Sequence, residues 1–228
     1  EPEINGTALL DDCLTFLRRF VSPPSEAAGV LMVAWAAHTH LMDAWETTPR
    51  LAFLSPEPSC GKTRAMEIVS LLCPLALETS NATSASLMRA MEDPEGLPTF
   101  FIDEIDTVYG KNGKGDENLR GLVNAGHRRG KGFLRCVVGD DGNYQPQRFE
   151  VFAAVAMAGI GNLPDTILSR SIHIKMRRRA KHEKVEGFRH RDNGPKGEVL
   201  RERLAQWARK VVDAAKALRP NLPDCISD

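Results

Sequence analysis

An excess charge of either sign is what this chain lacks. Thirty Lys and Arg residues balance 30 Asp and Glu, for a formal net charge of +0. The overall field therefore excludes a chain that binds nucleic acid by bulk electrostatics, and any such contact must come from a local patch. Long apolar runs are missing too. The longest, Ala27 to Ala37, falls well short of the roughly 18 residues that a membrane span needs, and is expected to be a core helix. Cysteine is sparse: Cys13, Cys60, Cys73, Cys136 and Cys225 are odd in number and show no C-x-x-C spacing. That pattern argues against a disulfide framework and a zinc site. Reduced thiols, a cytoplasmic location and no membrane partner are the expectation. No internal repeat and no signal peptide is legible, and the chain starts on Glu, so it reads as an excised piece of a longer protein. Its 228 residues, 42% hydrophobic and 26% charged, suit one α/β domain with appended helices.

What is present centres on residues 51–63, Leu-Ala-Phe-Leu-Ser-Pro-Glu-Pro-Ser-Cys-Gly-Lys-Thr. Leu51 to Leu54 fit a short buried strand, and the Pro/Glu/Ser stretch cannot continue it, so a loop should deliver Gly61-Lys62-Thr63 to the start of a helix. This is the layout of a phosphate-binding loop. Backbone N–H groups from Pro58-Ser59-Cys60-Gly61 onward to Arg64 would wrap a polyphosphate. Lys62 would supply charge and Thr63 a hydroxyl for Mg²⁺. The first glycine of G-x-x-x-x-G-K-[ST] is replaced by Pro56, which stiffens the loop's entry without touching the donors nearest the phosphates.

A second informative stretch is Thr99-Phe100-Phe101-Ile102-Asp103-Glu104. An apolar strand ending in two acids points carboxylates out of the carboxyl edge of a parallel sheet, where open α/β folds bind ligands. Asp103 would hold the Mg²⁺ shell and Glu104 would polarise the attacking water. Residues 149–158 predict another central strand after a hairpin that turns at residues 139–142, and Asn162 beyond it would lie at the same edge as Asp103 to sense the γ-phosphate.

Elsewhere the spacing predicts helices over 7–21, from Ser25-Glu26 to about Trp45, from Lys62 to near Pro74, through Met91 with Ser84 or Ser86 as cap, and around 119–125. Asp165 is expected to cap a short helix before a strand at 172–176. His38 and His40 lie two apart and read as packed core or rim residues rather than metal ligands. The glycines at 110, 113 and 115 mark a loop. Arg128, Arg129 and Lys131 form a basic turn that is either solvated surface or a contact to a neighbour's nucleotide or a nucleic-acid phosphate. Residues 175–191, with Arg177, Arg178 and Arg179, read as a solvated linker or a nucleic-acid track, with few aromatics to support base stacking. Gly194-Pro195 is expected to introduce a last helix carrying the stripe Leu200, Leu204, Trp207, Val211, Ala215 and Leu218.

The order Gly-Lys-Thr, Phe-Phe-Ile-Asp-Glu, strand to Asn162 and Leu-Ser-Arg (168–170) resembles the AAA+ group of P-loop ATPases. The run from Ala36-Ala37-His38-Thr39-His40 to the arginines at 177–179 is similar to helicase-like domains of the DUF3631 family, over about residues 30–180. The resemblance implies an α/β fold of P-loop NTPase type, a parallel sheet sandwiched by helices. A helical segment (1–48) would precede the ATPase core (49–180), and a basic linker with a C-terminal helix (181–228), either a partial lid over the nucleotide or a packing element, would follow. It also implies ATP and Mg²⁺ as ligands, Lys62 and Thr63 on phosphate and metal, Asp103 as metal partner, Glu104 as base, Asn162 as first sensor and Arg170 as an arginine finger. The partners implied are DNA and further copies in a homo-oligomeric ring, for example a hexamer. The expected function is ATP hydrolysis driving a helicase-like or loader activity on DNA. A nucleotide-controlled assembly switch is the alternative, and small-molecule phosphotransfer a third.

Overall fold

The computed structural model describes residues 4–109, 117–138 and 142–221. The glycines at 110, 113 and 115, turn residues 139–141 and Cys225 lie outside them. In chain order the elements are α1 (Gly6–Phe20), α2 (Glu26–Thr39), a 3₁₀ turn (Met42–Ala44), β1 (Arg50–Ser55), α3 (Lys62–Ser70), β2 (Ala76–Thr79), α4 (Ser84–Met91), β3 (Thr99–Ile102), α5 (Ile105–Tyr109), α6 (Glu117–Ala125), β4 (Gly132–Val138), β5 (Tyr144–Glu150), β6 (Val155–Ile160), α7 (Asp165–Leu168), β7 (Ser171–Lys175) and α8 (His190–Ala217). Five strands pair in parallel in the order β2-β3-β6-β1-β7, and β4 and β5 form a separate antiparallel hairpin.

β1 is buried along its whole length, and its side chains alternate between two cores. Leu51 and Phe53 join residues of α1, α2, α3 and α8, whereas Ala52 and Leu54 join residues of α4, α5, α6 and α7. A strand buried on both faces must be a near-continuous apolar run, as 51–54 is. The sheet is thus a mixed α/β sandwich, with all its strands' carboxyl ends on one edge.

Local chemistry moves several boundaries. α2 stops at Thr39 rather than near Trp45 because side chains take its last carbonyls. Thr39 Oγ1 donates to the Ala36 carbonyl at 2.7 Å and the Trp45 indole to that of His38 at 3.2 Å. The cap of α4 is Thr83, whose hydroxyl and backbone N–H pair reciprocally with Ser86. Asp165 is the first residue of α7 rather than its cap, a place held by Pro164. The apolar run 149–158 is split between the hairpin and β6, since Arg50 captures the Ala153 carbonyl between them. α8 starts at His190 and runs through Gly194-Pro195. Proline there gives up a bond to the carbonyl of exposed Arg191, which water can satisfy. Gly197 meanwhile lets the helix close onto α3 and α1, where a Cβ would meet Leu71 Cβ at 2.9 Å and Phe16 Cζ at 3.3 Å. Among the described residues no helix is long and apolar enough to cross a membrane.

Candidate functional site

Ser55 ends β1, and the chain turns there as Ser55 Oγ donates to the Glu57 carbonyl at 2.6 Å. Two residues further on, Ser59 (φ 61°) and Gly61 (φ 79°) are both left-handed, a bend that turns backbone N–H groups to one side. Glycine at 61 is required by φ rather than by room, since a Cβ there would meet only Met176 Cε at 3.7 Å. α3 begins at Lys62 without a side-chain cap, so its first-turn N–H groups and the positive end of its dipole face outward. Lys62, 9% exposed, donates to Ser55 Oγ at 2.5 Å. Cys60 is buried, with Sγ 3.8 Å from the Pro58 carbonyl.

β3 delivers the acids to the same edge. Thr63 Oγ1 donates to Asp103 Oδ2 at 3.0 Å, and Asp103 Oδ1 accepts the Glu104 N–H at 2.8 Å. Glu104 is itself left-handed (φ 54°), a conformation that costs a side-chain-bearing residue about 1–2 kcal/mol. Pro58, Ser59, Lys62, Thr63, Asp103 and Glu104 line one cleft of about 270 Å³, joined by Asp106, Thr107, Gly159 and Ile160. Asn162 is exposed on this edge just past β6, and its neighbour Gly161 donates to the Ser55 carbonyl at 2.9 Å.

A second cleft of about 270 Å³ opens on the other side of Ser59. Its apolar walls include Phe20, Val21, Cys60, Met176, Val185 and Phe188. Arg64 is paired with Glu67 at 2.9 Å and lies over the Phe188 ring at 5.0 Å. The segment after β7 closes this cleft as a strap that is largely exposed but held by ion pairs and by Phe188. Arg177 pairs with Glu183 at 2.5 Å, holding that carboxyl down at about 2, and Arg178 reaches Glu57 at 3.0 Å. Glu186 is held by Arg19 at 2.6 Å, while the Phe188 ring meets Phe20 edge-on at 5.1 Å. Arg179 lines the cleft with no carboxylate partner among the described residues.

The hydroxyl and carboxylate of Thr63 and Asp103 are hard oxygen donors of the kind Mg²⁺ takes. Among the described residues no group of three or more His, Cys, Asp or Glu could hold a metal. Two protein donors suit Mg²⁺, whose shell is usually completed by water and phosphate oxygens.

The remaining expected site residues fall on the opposite, amino edge. Arg170 immediately precedes β7, is half-buried, and its guanidinium faces Asn124 Oδ1 at 3.5 Å. Arg129 donates to the carbonyls of Trp45 and Met42 at 3.1 and 2.7 Å and lies over Phe152 at 4.5 Å. These contacts make it a clamp on the fold, although its side chain is still 46% exposed. Arg128 and Lys131 are exposed without carboxylate partners among the described residues. His38 bonds Thr48 Oγ1 at 3.0 Å and stacks on Trp45, and His40 bonds the Leu72 carbonyl at 2.8 Å. Both are packed side chains, as their spacing suggests.

Sequence reasoning missed Ser55, Asp106 and the apolar cleft. Asp106 carried a signal, a third acid two residues beyond an adjacent pair. The cleft had none, because its walls come from positions 20, 60, 176 and 188. A search of curated proteins gives no match. Residues 175–228, about a quarter of the chain, match a family model described as a protein of unknown function (DUF3631). The match starts at the last residue of β7 and covers the strap and α8, overlapping the resemblance read from residues 30–180 only at residues 175–180.

Proposed function

We propose that this chain binds Mg·ATP at the carboxyl edge of its sheet and hydrolyses it, within a homo-oligomeric assembly that works on DNA. The observation that carries the reading is the junction at Ser59–Thr63. On one side, a left-handed bend, a lysine and an uncapped helix start face two carboxylates 40 positions away in sequence, with Thr63 and Asp103 3.0 Å apart. On the other side lies an apolar cleft of about 270 Å³. A triphosphate fits the chemistry of the first and a purine that of the second. Thr63 and Asp103 would hold Mg²⁺, which when bound would neutralise phosphate charge. Lys62 would leave Ser55 for the phosphates, and Glu104, whose exposed side chain has no hydrogen-bond partner among the described residues, would take a proton from the attacking water. Asn162 would orient that water or the γ-phosphate.

Arg170 sits at the edge away from its own chain's loop, so any γ-phosphate it meets belongs to a neighbouring copy. An arginine supplied in this way is worth about 10³–10⁵ in rate. Of the six cations expected to contact nucleic acid or a neighbour, Arg128, Lys131 and Arg179 are those whose side chains have no carboxylate or carbonyl partner among the described residues. An ATP-controlled switch with little turnover is the rival use of the same site, and Glu104 speaks against it.

The deciding experiment measures steady-state phosphate release and oligomeric state together, with and without single-stranded DNA, for the parent and Lys62→Ala. Hydrolysis that Lys62→Ala abolishes supports the reading. Binding of Mg·ATP without turnover would leave the switch, and an absence of nucleotide binding would end both.

A further inference from the structure

Asp106 is the third carboxylate of the polar cleft, and neither the phosphate loop nor the metal donors use it. It stands in the first turn of α5, two residues after Glu104. Its Oδ1 accepts the backbone N–H of Ile160, the last residue of β6, at 3.0 Å. The approach is close enough that a Cβ on Gly159 would lie 3.1 Å from that oxygen and 3.0 Å from Ile105 Cγ2. A path of hydrogen bonds leaves this point. Gly161 donates to the Ser55 carbonyl at 2.9 Å, and Ser55 Oγ accepts Lys62 at 2.5 Å.

From this we infer that Asp106 is a positioning residue for the reaction proposed above: it pins the exit of β6 to α5, and so sets Asn162 and Lys62 in register with Glu104. The physical basis is that β6 ends at Ile160, so its last N–H has no further ladder partner. A carboxylate acceptor makes a stronger bond to it than water would. Reacting groups must be held within fractions of an ångström, and a misplacement of about 1 Å costs on the order of 10²-fold in rate. Asp106 touches neither substrate nor metal in this role. The path to Lys62 also explains the glycine at 159, where a side chain would push the carboxylate off the Ile160 amide.

The inference rests on the hydrolysis reading, and its test separates the two. Asp106→Ala should lower kcat about 10- to 100-fold with KM for Mg·ATP within about threefold, and should speed hydrogen exchange at the Ile160 amide in the nucleotide-free protein. Asp106→Asn, which keeps an acceptor oxygen, should recover most of both. Gly159→Ala should mimic Asp106→Ala and add little to it in the double variant. An unchanged Ile160 exchange rate, an unchanged kcat, or a loss of Mg·ATP affinity as large as the loss of kcat would each overturn the inference while leaving hydrolysis by the parent intact. A parent that binds no Mg·ATP would instead end the hydrolysis reading, and with it a reaction for Asp106 to position.

Discussion

The two edges of the sheet treat charged side chains in opposite ways. On the amino edge, two arginines, Arg50 and Arg129, are tied to backbone. Arg50, 1% exposed, donates to the Ala153 and Val123 carbonyls at 2.6 and 2.7 Å, and Arg129 holds those of Met42 and Trp45. Burial pushes the Arg50 guanidinium down to about 9, with Arg170 adding in the same direction, yet it remains protonated at neutral pH. On the carboxyl edge, Lys62, Thr63, Asp103 and Glu104 face a cleft, with Thr63 bonded to Asp103 and Lys62 to Ser55. Charge on the first edge holds loops onto strands. On the second it is arranged around space, at the expense of a left-handed Glu104.

If that contrast is right, substitutions at the two edges should separate activity from stability, and the largest effects belong to the carboxyl edge. Glu104→Gln should reduce phosphate release about 10²–10⁴-fold while Mg·ATP binding persists. Lys62→Ala should weaken binding itself. Glu104→Gln should leave the urea midpoint of unfolding nearly unchanged, because its exposed side chain supports little of the fold. A Glu104→Gln protein that unfolds early would blur the two edges. Arg50→Met is the converse. It orphans two buried carbonyls, and urea unfolding should register a loss of about 2–4 kcal/mol, with KM for Mg·ATP retained in the folded fraction.

The contrast also accounts for what could be read in advance. The carboxyl edge was legible because its chemistry is local. A strand, a turn and Gly61-Lys62-Thr63 are contiguous, and an apolar run ending in Asp103-Glu104 announces its own direction. The amino edge was not, because Arg129 is defined by partners 84 and 87 positions away, and a Gly/Arg-rich turn looks the same whether solvated or clamped. The strap's pairings were hidden for a related reason. Arg177 and Arg178 were visible as charge, but the pairing of Arg178 with Glu57 and of Arg19 with Glu186 depends on the fold. α8 began earlier than Gly194-Pro195 suggested because close packing of Gly197 on Leu71 outweighs local breakers.

A smaller effect on the amino side is acid-sensitive. His38 is held down to about 4 by burial, and burial lowers His40 as well. Since the folded state disfavours the proton, this contribution is fully present above the ordinary histidine value of about 6.5 and is lost as pH falls from there toward about 4. Stability measured by urea should drop by on the order of 2 kcal/mol across that window. His38→Phe, which preserves the stack on Trp45, should flatten most of the dependence and leave the part due to His40. A profile that stays as steep in His38→Phe would place the titrating group elsewhere.

The smallest expected difference is the one that tests most directly which cations are free. Arg129→Ala removes two hydrogen bonds to carbonyls and a stack on Phe152 from a partly exposed side chain, whose ion pair with Asp43 at 4.0 Å adds little. Its cost should be about 1 kcal/mol of stability, seen as a lower urea midpoint, with any affinity for single-stranded DNA unchanged. Arg128→Ala, one position earlier and exposed, should do the reverse. If the chain binds nucleic acid, the slope of log affinity against log salt should fall by about 0.7 for a single strand, as expected when one phosphate contact is lost, and stability should hold. Should Arg129→Ala change the salt slope, its guanidinium must leave the Met42 and Trp45 carbonyls when nucleic acid arrives, and the amino edge would be a binding surface as well as a clamp.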